Sequence, residues 1–129
     1  MIGVERVDYI RVPVRDIEKA KHFYGELLGL TENPNSPDDD WIEYEAGNVT
    51  LAVMTPETHE YEFTPLPPAT IALRVRDVAA AKATLEAAGL QVNEMWDSGA
   101  CKGAGVSDPD GNRILLHRRY APYPDGSTP

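Results

Sequence analysis

YIRVPVRDIEKAKHFYGELLGL (residues 9–30) and TIALRVRDVAAAKATLEAAGL (residues 70–90) carry one pattern twice. Placing Asp16 over Asp77 aligns Ile10 with Ile71, Val12 with Leu73, Val14 with Val75, Arg15 with Arg76, Ala20 with Ala81 and Lys21 with Lys82. Leu28-Gly29-Leu30 and Ala88-Gly89-Leu90 then match after a one-residue deletion. Two copies of a strand–helix unit predict a duplicated module with pseudo-two-fold symmetry. Such a duplication can build one shared cleft from two half-sites.

Each copy reads the same way. Residues 6–14 alternate, with Ile10, Val12 and Val14 on one face and Tyr9, Arg11 and Pro13 on the other, as in a strand packed on one side. Asp16 is placed to cap a helix over 17–28, because its carboxylate can accept the first free N–H groups. Ile17, Ala20, Phe23, Tyr24, Leu27 and Leu28 form its apolar stripe, and Gly29 supplies the left-handed stop. In the second copy Ile71, Leu73 and Val75 face a core, Thr70, Ala72 and Arg74 face away, Asp77 caps a helix to about Ala88, and Gly89 ends it.

A hairpin follows the first helix: Trp41–Glu45, a turn at 46–48, and Val49–Met54. Ile42, Tyr44, Leu51 and Val53 share its core face; Trp41, Glu43, Glu45, Thr50, Ala52 and Met54 share the other. The second half repeats this with strands at 91–96 and 101–107, the tight turn Asp108-Pro-Asp-Gly-Asn112 and a last strand at 114–117. The fold expected is α+β: two βαβββ modules, at about 4–55 and 69–118, joined by a proline-rich linker at about 56–68. A proline- and glycine-rich tail, 119–129, is expected to be frayed or to lie against a partner.

Composition narrows the function. The chain has 129 residues, 12 basic and 21 acidic side chains, and a net charge of −9. That charge repels phosphate backbones and anionic lipid, which argues against nucleic acid and membrane partners. The single cysteine, Cys101, rules out an internal disulfide and a thiolate-rich zinc site. It reads as a small packed residue. No signal-peptide pattern opens the sequence and no apolar run reaches membrane-spanning length, so the cytoplasm is the expected location. Asp38, Asp39 and Asp40 read as solvated loop charge, and His22 and His59 as exposed.

The opening stretch resembles that of the vicinal oxygen chelate superfamily, which includes glyoxalase I, extradiol dioxygenases, fosfomycin-resistance proteins and bleomycin-binding proteins. The marks are the Asp16 cap, Ala20, Phe23-Tyr24, Leu28-Gly29-Leu30 and, late in the second module, Asp108-Pro-Asp-Gly-Asn112 before an apolar strand. The resemblance spans about residues 4–118. It implies a curved, cup-shaped mixed sheet with helices on its outer face, a ligand on the concave side, and a homodimer. In metal-using members four ligands, usually His, Glu or Gln, hold a divalent Lewis acid. Carried over one by one, those positions fall on Tyr9, Ala52, Thr70 and Leu115. No metal cofactor is therefore expected. A displaced site using His117 with Glu43 or Glu45 stays open.

The parity of the strands then lines the cup with Tyr9, Arg11, Trp41, Glu43, Thr50, Ala52 and Met54 from the first module. The second contributes Thr70, Ala72, Arg74, Leu115 and His117. Tyr9, Trp41 and Met54 offer surface for stacking on a ring. Arg11 and Arg74, at related points of their modules, either clamp an anion or pair with Glu43 and Glu45. Three functions follow. The first is a metal-free protein that binds a small organic, aromatic or antibiotic-like molecule. The second is an enzyme, either metal-dependent with displaced ligands or using Glu43 or His117 in acid–base chemistry. The third is a protein-interaction subunit whose groove binds another protein or its own tail, Tyr120–Pro129, a segment long enough to reach a neighbour.

Overall fold

Alternation at the start of the chain produces strand β1 (Tyr9–Pro13) in the computed structural model, which describes residues 1–36, 38–59 and 61–129. The strand begins three residues later than the pattern suggested, and Ile2, Val4 and Val7 stay exposed. Asp16 caps the first helix as expected: its Oδ1 accepts the Lys19 N–H at 3.1 Å. Helix α1 (Ile17–Lys21) does not continue as an α-helix, however. It widens into a π-helix over His22–Leu27, and the Leu28 N–H reaches back five residues to the Phe23 carbonyl at 2.9 Å. The wider turn seats the adjacent Phe23 and Tyr24 both at 0% exposure. It also lays Gly25 against Tyr44, where a Cβ would stand 3.4 Å from the ring. Gly29 closes the segment at φ 70°.

Strands β2 (Thr31–Glu32), β3 (Trp41–Glu45) and β4 (Thr50–Met54) complete the first module. Its sheet has the order β1-β4-β3-β2, with β1 parallel to β4 and the other pairs antiparallel. β1 is an edge in this sheet, which is why Pro13, lacking an N–H, is tolerated at its end. Val12, Val53 and Ile42 share one row, and Leu51 and Tyr44 the next; all five are buried. Tyr24 stacks on Tyr44 with centroids 6.2 Å apart, fixing the helical segment to this face.

Burial pushes the Tyr44 hydroxyl up from 10 to about 12, helped by Glu32, Glu18 and Glu26 nearby. The folded state thus holds this proton more tightly than the unfolded chain. The resulting stability is complete below pH 10 and is lost as pH rises toward 12. Alkaline unfolding monitored by circular dichroism should lose this pH dependence in Tyr44→Phe; an unchanged profile would remove Tyr44 as its source.

The second module repeats the plan. β5 (Ile71–Arg74), α2 (Val78–Ala87), β6 (Trp96–Asp97), β7 (Cys101–Ser107) and β8 (Arg113–Arg119) form a sheet ordered β5-β8-β7-β6. Again the first strand is parallel to the last. Asp77 caps α2 through the Ala80 N–H at 3.0 Å. Asp77→Ala should cost about 1 kcal/mol, read as a lower urea midpoint. The strand expected at 91–96 is mostly irregular: beyond β6 it keeps one bridge, Val92 with Val106. Helix α2 packs on β7 and β8, over Ala104, Val106, Ile114 and Leu116, all at most 2% exposed. The chain divides into two compact units, Met1–Pro65 and Leu66–Pro129. The architecture is α+β with two βαβββ modules, each with its own open four-stranded sheet.

The tail has no helix or strand, but it is not loose. Arg118 donates to the Pro129 carbonyl at 3.1 Å and Arg119 to the Pro122 carbonyl at 2.7 Å. The Arg119 guanidinium lies 4.9 Å from the Tyr123 centroid. The Tyr120 hydroxyl donates to Asp97 at 2.7 Å, which holds the Asp97 carboxyl below its usual range and lifts Tyr120 above its own. The tail folds onto its own module through arginines that end β8. No helix among the described residues is long and apolar enough to cross a membrane.

Candidate functional site

In each module one face of the sheet carries the helix, and the residues expected to line a site fall on the other. In the first module the rows on that face are Tyr9–Thr50–Glu45, Arg11–Ala52–Glu43 and Pro13–Met54–Trp41. The parity read from the sequence is correct, but the chemistry differs at several positions. Tyr9 and Trp41 meet edge to face with centroids 5.6 Å apart. They reach toward each other across β4, which lies between their strands. Ala52 and Met54 are both at 0% exposure, so Met54 offers no open surface for a ligand. Arg11 makes no ion pair with Glu43 or Glu45 among the described residues; its guanidinium lies 3.9 Å from the Tyr61 ring centroid, a cation–π contact. Glu45 instead accepts the Thr50 hydroxyl at 3.0 Å.

The second module's face is built differently. Arg113, Leu115 and His117 lie along β8, opposite Ser107, Gly105 and Gly103 of β7. Ala72 and Arg74 of β5 flank Leu115 and His117. Two glycines on a central strand remove side chains where the first module has Glu43 and Trp41. Trp96 fills the first gap: a Cβ on Gly103 would stand 2.3 Å from its Cζ2. The indole also neighbours His117, ring centroids 6.2 Å apart. Over the second gap, a Cβ on Gly105 would meet Asn93 Nδ2 at 3.0 Å and Arg113 Nη2 at 3.7 Å.

Beside Gly105 lies a cavity of about 390 Å³. Gly105 and Leu115 form its floor, and Trp96, Pro68 and Ala69 its walls. Asn93, Glu94 and Arg113 bring its polar groups. Ala69 is the one described non-glycine residue with positive φ, at 63°, a conformation that costs about 1–2 kcal/mol. Thr70 holds the turn behind it, donating its hydroxyl to the Pro67 carbonyl at 2.9 Å. Thr70, expected to face a ligand, is therefore engaged in closing a local turn.

Arg74 also departs from expectation. It pairs with His117, whereas Arg11 pairs with Ala52. By strand position the partner of Arg74 in the first module is Pro13, and that of Arg11 in the second is Ala72. The two arginines are therefore not at related points of their modules. Sequence reading missed Trp96, Asn93 and Arg113. The signal available was a glycine pair, at 103 and 105, with the spacing of one strand face.

The four positions where a metal would be held carry a phenol (Tyr9), a methyl (Ala52), a hydroxyl (Thr70) and an isobutyl group (Leu115). Two hydrocarbon side chains and a hydroxyl already bonded within its turn do not fit a divalent ion, which needs nitrogen or oxygen donors at these sites. Among the described residues no three His, Cys, Asp or Glu side chains gather as a metal site. His22 is exposed and shares a hydrogen bond with Glu26 at 2.9 Å. The side chain of His59 lies outside the described residues. Cys101 is half-buried, and Lys102 next to it lies 5.7 Å from the Tyr120 ring centroid.

Comparison with known proteins fits this geometry. TnmS3, an antibiotic binding protein from Streptomyces sp. CB03234, is 28% identical over 92% of this chain and 99% of its own, with a TM-score of 0.76. A glyoxalase/bleomycin resistance protein from the same organism is 30% identical over 88% and 100%, TM-score 0.67. A putative glyoxalase family protein from Bacillus anthracis is 27% identical over 92% and 98%, TM-score 0.75. No curated protein matches. The model of the Glyoxalase/Bleomycin resistance protein/Dioxygenase superfamily matches residues 6–116, so the chain belongs to that superfamily.

Proposed function

We propose that this protein binds a small aromatic molecule without a metal and releases it unchanged. One observation carries the reading: the cavity of about 390 Å³ lined by Trp96, Leu115 and Gly105, with the indole laid over Gly103. Binding sites for small molecules are concave, mostly apolar, and carry a few placed polar groups, and this cavity has that character. Side chains that do not fit a divalent ion stand at the family's ligand positions, and a 28%-identical neighbour is an antibiotic binding protein; both support the same reading. It includes a homodimer, as the family resemblance implies, and a cytoplasmic location.

Trp41 and Trp96 are the only tryptophans, so Trp41→Phe leaves one reporter, Trp96. Titration of that variant with 2-naphthol should change its emission saturably. The naphthol should be recovered chemically intact. No change up to millimolar concentration would remove the binding reading, and a new product would point to catalysis by Glu43 or His117.

A further inference from the structure

We infer that the second module's cavity selects aromatic carboxylates, with Arg113 and Asn93 holding the carboxylate over Gly105 and the ring lying between Trp96 and Leu115. The inference rests on the binding reading above and names the chemical class of the ligand.

Four observations meet at this point. Arg113, Leu115 and Gly105 lie on one face, Leu115 and Gly105 being direct partners in the β7–β8 ladder. Arg113 and Asn93 both approach the space above Gly105, at 3.7 and 3.0 Å from where its Cβ would be. The Arg113 side chain is only partly exposed, yet among the described residues its guanidinium has no ion-pair or hydrogen-bond partner. Its backbone is fixed, since the Arg113 N–H donates to the Leu66 carbonyl at 3.1 Å. In a chain of net charge −9, a partly desolvated cation that faces a cavity and pairs with no carboxylate among the described residues favours an anion from outside. Guanidinium takes a carboxylate through two parallel hydrogen bonds, and the Asn93 amide can add a third.

The remaining walls choose the rest of the ligand. Trp96, Leu115, Pro68 and Ala69 offer flat or small apolar surface, and none can satisfy a second charge. Glu94 also borders the cavity, but it is exposed, and solvent and salt screen its repulsion. The left-handed Ala69 keeps its methyl at this wall, where a strained backbone is held in place by the Thr70–Pro67 hydrogen bonds. Strain of that kind concentrates at ligand sites.

The test compares naphthalene-2-carboxylate with its neutral counterpart, naphthalene-2-carboxamide, by calorimetry on the full chain. The carboxylate should bind about tenfold more tightly. Arg113→Gln, which keeps the backbone bond to Leu66, should bring the ratio to about one while carboxamide affinity is retained. Equal binding of the two probes to the parent protein would overturn the inference and leave the binding reading intact. Binding of neither would overturn both. Should Arg113→Gln fail to fold, amide shifts in the parent protein decide. Carboxylate-dependent shifts at Gly105, Asn93 and the Trp96 indole support the inference. Shifts centred instead on Tyr9 and Trp41 overturn it.

Discussion

Asn112→Ala should lower the stability of the protein by about 3–5 kcal/mol, since each buried group left without a partner costs about 1–3 kcal/mol and more when it is charged. Asn112 is at 0% exposure. Its Nδ2 donates to Asp108 Oδ2 at 2.7 Å, and its Oδ1 accepts the Leu66 N–H at 2.8 Å. Asp108, itself 5% exposed, also accepts the Asp110 and Asn112 backbone N–H groups at 2.9 Å through Oδ1. The alanine variant removes one donor from a buried carboxylate and, among the described residues, the only acceptor of the Leu66 N–H. The tight turn, with Gly111 at φ 89°, is thus also the anchor of the chain entering the second module. For a domain whose total stability is about 5–15 kcal/mol, the loss should move the urea midpoint strongly with little change in slope. A midpoint equal to that of the parent would show that the anchor contributes little.

Gly103→Ala should abolish the stacked position of Trp96 and weaken aromatic probes at least tenfold. The new Cβ would sit 2.3 Å from Cζ2 and 2.5 Å from Cε2 of the indole. Atoms cannot approach so closely, and the obstacle is a rigid ring rather than the tip of a flexible chain. Trp96 is 42% exposed, so it can swing into solvent at modest cost to stability while the cavity loses its wall. In a Trp41→Phe background its emission should shift to the red. Gly105→Ala is the informative contrast. There the nearest atom is Asn93 Nδ2 at 3.0 Å, the end of a flexible side chain that can give way, so a smaller loss of affinity is expected. Equal effects from the two substitutions would mean that the indole is not the wall.

Much of the fold was legible because it is written in local chemistry. Asp16 and Asp77 cap where their spacing said they would, and Gly29 and Gly89 end their helical segments with positive φ. Strand parity placed Tyr9, Arg11, Trp41, Leu115 and His117 on the right faces, because a period of two leaves no other choice once one face is buried. What stayed hidden depended on contacts distant in sequence. An apolar stripe looks alike in an α-helix and in a short π-helix, and the choice at His22–Leu27 turns on the fit of Gly25 to Tyr44. Gly103 and Gly105 look like simple strand weakeners until Trp96 is seen lying on one of them. Arg11 and Arg74 looked equivalent only by residue type; the alignment on the helix caps already set Arg74 against Pro13.

The two sheets have the same strand order, yet their free faces have diverged. Where one copy keeps Trp41 and Glu43, the other has Gly103 and Gly105, over which Trp96 and Asn93 lie. Duplication permits specialisation: one copy carries its bulk on the strand itself, and its twin borrows it from the segment at Asn93–Trp96, beside which the proposed site lies. Occupancy should therefore saturate at one probe per chain despite the internal symmetry. Ligand preference should be adjustable through substitutions at Asn93, Arg113 and Gly105 alone, leaving the hydrophobic interior of either copy untouched.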